Sequence, residues 1–275
     1  MKMKKSSRYA LAIAGVAVLA AAAVVSLAQF GPAPPSVDRR GVPNWEVDNE
    51  MPRDVFTFVR IRYGSYGRRG GKWATDYPDA DLNFSYRLQE MTSLKVHPEG
   101  KVLDLTDPEL FDYPFAYLAE PGDMWLSEEE VKSLRKWLLN GGFLMVDDFW
   151  GGDEYDNFAH EMKRVFPKRE AVDLPIEHPV FHTVFDLQEK PQLPSIGIAM
   201  NGWEYEPRPG PDNGSEVHYR AIHDDEERIM VFICHNTDLG DGWEREGENQ
   251  EYFRNYSEPK AYPMGINIIF YAMTH

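Results

Sequence analysis

The 275-residue sequence holds a single cysteine, Cys234, which excludes an intramolecular disulfide, a cysteine-based zinc knuckle and an iron-sulfur site. Basic residues are also scarce, at 29 Lys and Arg against 45 Asp and Glu, a formal net charge of -16. Four of those bases (Lys2, Lys4, Lys5, Arg8) precede Ala28, so the remainder sets 25 bases against 45 acids. Duplex binding requires clustered Lys and Arg to displace counterions, so this balance argues against a nucleic-acid partner. No Gly-x-Ser-x-Gly, P-loop or dinucleotide fingerprint occurs. Residues 64–71 have the glycines of a phosphate loop, and Arg68 and Arg69 could attract an anion, but the Walker Lys-Ser/Thr is missing.

What is present begins with an export-type N-terminus. Lys2 to Arg8 precede an unbroken apolar run from Ala10 to Val25, followed by Ser26-Leu27-Ala28. The order of basic, apolar and small residues is that of a signal peptide cleaved after Ala28. Extended by Tyr9 and Leu27, the run also approaches the roughly 20 residues of an uncleaved anchor. Residues 1–28 thus read as signal peptide or membrane anchor. In either case Lys2 to Arg8 stay cytoplasmic, and the rest is exported, periplasmic or held at the inner membrane. Residues 29–54, with Pro32, Pro34, Pro35, Pro43 and Pro52, read as a semi-extended linker.

Residues 55–275 read as one α/β domain. Phe56 to Tyr63 alternates apolar and polar residues as a strand does, and Asp79 opens a helix running to about Leu94. Val102–Leu105 and Phe115–Leu118 read as buried strands. Ser127 and Glu130 form a capping box flanked by the staple Leu126 and Val131; Gly141-Gly142 supplies the helix stop. The apolar strand Phe143–Val146 follows, then an amphipathic helix carrying Tyr155, Phe158, Met162 and Val165. Val217–Ile222 and Ile229–Cys234 make a hairpin around an acidic turn, and Pro263–Met273 is apolar nearly all round, as a buried helix is. Alternating strands and helices predict a three-layer, flavodoxin-like sandwich with a mainly parallel sheet, a C-terminal hairpin and a buried helix.

Three clusters carry potential chemistry. Asp147, Asp148 and Trp150 follow the best-defined buried strand, where open α/β sheets place ligands; the two acids read either as cap and surface residues or as metal or acid/base carboxylates. His178 and His182 flank a loop without metal-ligand spacing. The densest run is His235, Asn236, Asp238, Asp241, Trp243 and Glu244, in a glycine-punctuated loop that lacks the register of an EF-hand. If the strand before His235 runs parallel to Phe143–Val146, both acidic loops share one sheet edge and wall one cleft, with His178 at its rim. Such a cleft would hold a divalent metal: Mg²⁺ or Ca²⁺ through the aspartates, Zn²⁺ or Mn²⁺ if the histidines join. Trp150 and Trp243 would stack on a sugar or aromatic ligand. Cys234, on a strand and without a glycine-flanked elbow, reads as a buried small hydrophobe.

Five strings carry a family resemblance: Phe56–Tyr63, Thr75–Asp81, Gly141–Gly151, His235–Glu244 and Ala261–Ile269. They resemble the bacterial envelope proteins of Domain of Unknown Function 4159. The resemblance implies a fold similar to class I glutamine amidotransferase-like domains and to trehalose-utilisation-type domains, and implies no settled activity. Without the nucleophilic elbow cysteine, the glutaminase reaction is excluded. Two readings of function remain: an exported domain binding a small polar ligand or an envelope partner protein, or a carboxylate- or metal-dependent hydrolase acting on a carbohydrate-like substrate.

Overall fold

A computed structural model describes residues 38–47, 54–65 and 72–275. The export segment, most of the proline-rich stretch and the Arg68-Arg69 loop lie outside the described residues. Among those described, no helix is long and apolar enough to cross a membrane.

Seven strands form the main sheet: β1 (Val59–Arg62), β3 (Lys101–Asp104), β4 (Phe115–Ala119), β6 (Phe143–Asp147), β7 (Val172–Asp173), β8 (His218–His223) and β9 (Ile229–His235). Their order is β3-β1-β4-β6-β9-β8-β7. The first five are parallel; β8 and β7 add antiparallel strands at one edge. A separate ribbon pairs β2 (Gly64–Ser65) with β5 (Met124–Trp125). In chain order the five parallel strands read 2-1-3-4-5, the flavodoxin-like order, whose ligand crevice opens where the winding reverses, between β1 and β4.

Side chains leave the central strands alternately for two cores. Phe115, Tyr117, Phe143, Met145, Phe232 and Cys234 meet α1 (Asp79–Met91), α4 (Leu239–Glu244) and α5 (Tyr262–Thr274). Ala116, Leu118, Leu144, Val146 and Ile233 meet α2 (Glu128–Leu139) and α3 (Gly151–Val165). Helices on both faces explain why β4, β6 and β9 are buried throughout, with apolar runs in place of alternation. The capping box forms as its sequence predicts: Ser127 accepts the Glu130 amide while the Glu130 carboxylate accepts the Ser127 amide at 2.7 Å. Gly141 then takes φ +101°, a value that L side chains rarely adopt. The hairpin β8–β9 and the buried helix α5 also form.

Two features depart from the pattern of the sequence. Arg60 occupies a polar position of an alternating strand yet is fully buried, because a strand inside a parallel sheet is covered on both faces. Its charge is met by Asp81 of α1 at 2.5 Å, and it also donates to the Trp73 and Thr75 carbonyls. Within the proline-rich stretch, Trp45 donates its indole N–H to Val96 O at 2.7 Å and its ring meets Tyr86, so these residues lie against the domain.

Candidate cation site at the switch point

β9 pairs parallel with β6, through Leu144–Val231, Met145–Phe232 and Val146–Ile233. The loops after both strands therefore open on the same sheet edge, and the segments after β1 and β4 open there too. Asp76 comes from the β1 side, Glu120 from β4, Asp147 and Asp148 from β6, and Asp238, Asp241 and Glu244 from β9.

One oxygen from each of Asp76, Asp148 and Asp238 lies within 4.8 Å of the others. A second such trio, Asp76, Asp241 and Glu244, shares Asp76. Among the described residues, no Lys, Arg or His forms an ion pair with Asp76, Asp147, Asp148 or Asp238, and Asp76 Oδ2 and Asp147 Oδ1 are buried without any hydrogen-bond partner. Two ionised carboxylates at that spacing repel by about 3 kcal/mol at an effective dielectric of about 20. A proton or a cation must offset this. Burial first, then the neighbouring acids, pushes the carboxyls of Asp76, Asp148 and Asp238 well above the ordinary range.

Asp147 is the last residue of β6, directly before Asp148. Its Oδ2 accepts the Tyr117 hydroxyl at 3.1 Å and the Gly240 amide at 2.9 Å, while burial pushes its carboxyl up to about 7. Asp238 caps α4 by accepting the Asp241 amide at 2.7 Å. Asp148 accepts the Trp150 indole N–H at 3.3 Å. Gly240 admits the close approach of α4: a Cβ there would stand 2.6 Å from Asp76 Oδ2 and 2.8 Å from Tyr117 Oη. Backbone strain concentrates at the same edge. Of the six described non-glycine residues with positive φ, Asp76, Glu120, Asp148 and Asn236 all belong to it, at φ 45° to 62°. Each costs on the order of 1 kcal/mol or more, and such residues gather at ligand clamps and active sites.

The remaining residues singled out from sequence have other places. His235 ends β9 on the opposite face, against Phe149 and Tyr155. Its Nε2 is 3.1 Å from the Gly151 carbonyl and its Nδ1 is 3.0 Å from Arg220 Nη1. The pairing assigns a neutral ring that donates through Nε2 and accepts at Nδ1, and burial lowers its pKa to about 4. Asn236 is a clasp: it accepts the Gly151 amide and donates to Asp212 and to the Glu216 carbonyl. His178 does not reach the cleft. It accepts the Val180 amide and packs on Tyr271, and it feels His223 and His275, toward the opposite end of the sheet. The expected stacking platforms are absent as well. Trp150 and Trp243 are 1% and 0% exposed; Trp243 packs between Phe84, Phe58 and Tyr117, where its area serves the core. Cys234 is buried, and burial raises its thiol pKa.

Asp76, Tyr117 and Glu120 were not among the residues singled out from the sequence. The switch-point rule, applied to β1 and β4 as well as to β6, would have marked the segments that carry Asp76 and Glu120.

A family model described as Domain of unknown function (DUF4159) matches residues 57–273, and the chain belongs to that family. A search of curated proteins finds no match to the chain.

Proposed function

We propose that this DUF4159 protein binds a hard divalent cation through Asp76, Asp148 and Asp238, and uses it to hold an oxygen-rich polar ligand at the β1/β4 switch point. The observation that carries this reading is three converging carboxylates, Asp148 and Asp238 buried and Asp76 half-buried, that form no ion pair with a base among the described residues, while Asp76 keeps a buried oxygen with no hydrogen bond. The donor set is all oxygen, because His235 and His178 face elsewhere, which favours Mg²⁺, Ca²⁺ or Mn²⁺ over Zn²⁺.

Titration calorimetry and thermal unfolding of chelator-treated protein test it. Saturable binding with a rise in Tm of about 5 °C at 100-fold excess over Kd is expected, lost in Asp148→Asn and Asp238→Asn. Absence of saturable binding of all three ions overturns the reading.

Hydrolysis is the reaction that such a centre would best support, favoured by Asp147, the buried neighbour of Asp148 in the chain, whose carboxyl burial pushes up to about 7. Assays on chromogenic phosphate esters, carboxylic esters and glycosides, with and without cation, test this second step. Turnover that survives Asp148→Asn would detach it from the site.

The amidotransferase-like similarity of the fold is supported by the 2-1-3-4-5 strand order, and export by the basic, apolar and small residues of positions 1–28. An envelope protein starting at Gln29 would mean cleavage and an intact Met1 an anchor; bulk recovery from cytosol would contradict both.

A further inference from the structure

Building on that cation site, we propose a second cation site formed by Asp76, Asp241 and Glu244, so that Asp76 bridges two ions and Arg245 occupies the second position until it is displaced. Asp76 contributes to both trios, and in each the three oxygens lie within 4.8 Å. A carboxylate with two oxygens can bind one ion on each side, the arrangement that places paired catalytic cations about 3.5–4 Å apart.

The two trios differ in how their charge is met. Among the described residues, the first has no basic side chain paired to Asp148 or Asp238. The second has one: Arg245 Nη2 lies 2.6 Å from Glu244 Oε2 and its Nε lies 3.4 Å from Asp241 Oδ1. Arg245 also reaches Glu248 through Nη1 at 3.2 Å, and the Arg245 side chain is 29% exposed. It therefore has an acidic partner at the rim to retain when an ion takes its place. Asp241 is already aimed by the Ile196 amide, which donates to Oδ2 at 2.6 Å, and by its place in α4. The remaining requirement is an oxygen pointing inward from the β1 side. Asp76 supplies it, held by a segment whose Trp73 and Thr75 carbonyls are tied to buried Arg60.

Mn²⁺ serves as probe, with stoichiometry from calorimetry and elemental analysis and the spin spectrum of the loaded full-length protein. Two Mn²⁺ per chain with an exchange-coupled spectrum are expected. Glu244→Gln should drop the count to one and restore an isolated six-line signal, while Arg245→Met should tighten the weaker site by about five-fold, the scale of one partly exposed ion pair. Arg245→Met keeps the acidic ligands, so it tests the second site even if Glu244→Gln folds poorly. One Mn²⁺ per chain, unchanged in affinity by either variant, overturns the second site and leaves the first standing. No Mn²⁺ at all overturns both.

Discussion

Asp147 Oδ2 accepts the Gly240 amide at 2.9 Å across 93 residues of sequence, joining the last residue of β6 to the start of α4. Through this bond the two acidic loops hold one geometry, since α4 carries Asp241 and Glu244, Asp238 caps it, and Asp148 follows Asp147 directly.

The same carboxyl makes stability depend on pH. Folded Asp147 titrates at about 7, against about 3.9 in an unfolded chain. Between those values the native state keeps a proton that the unfolded state has lost, so stability falls as pH rises through the window. His235, lowered to about 4, has the opposite slope between about 4 and 6.5. Comparison with Asp147→Asn isolates the carboxyl: in chelator, the variant should gain on wild type from pH 5 to 7, by at most about 1.4 kcal/mol per pH unit in urea unfolding. A difference independent of pH would show that Asp147 ionises normally.

Gly240→Ala should impair the site more than the fold. The added methyl group must displace Asp76, which belongs to both trios, or Tyr117, which donates to Asp147, at a cost of about 1–3 kcal/mol. Cation affinity should fall at least about ten-fold, a change of about 1.4 kcal/mol. Gly197→Ala, with nothing within 4 Å of the new carbon, is the control and should leave affinity unchanged.

Arg60→Met strands Asp81 in the core and should destabilise by about 3–5 kcal/mol in denaturant unfolding. Arg60→Met with Asp81→Leu should recover most of that loss. Cation affinity should stay reduced in the double variant, because the Trp73 and Thr75 carbonyls before Asp76 lose their donor either way. Full recovery of affinity would show that the Asp76 segment is held without Arg60.

Native Cys234 should alkylate slowly at neutral pH and rapidly once unfolded, as expected of a buried thiol whose pKa is raised by desolvation. Stoichiometric labelling of the folded protein within minutes would contradict its place in the core.

The sequence determined what depends on neighbours along the chain. Ser127 and Glu130 sit three residues apart, the separation over which a cap closes, and Gly141 ends that helix because the local backbone requires positive φ. The apolar run of β6 followed by Asp147 and Asp148 located one wall of the cleft, since strand ends in a parallel sheet are ligand-bearing by topology alone. Tertiary structure decided the rest, because burial and convergence are set by which elements meet. The parallel pairing of β6 with β9 put the second acidic loop on the same edge. Packing of α1 against α4 turned Trp243 into core, and the far end of the sheet received His178. Asp76 became the residue common to both trios only because the order 2-1-3-4-5 sets β1 beside β4, bringing its loop over carboxylates more than 70 residues away in the chain.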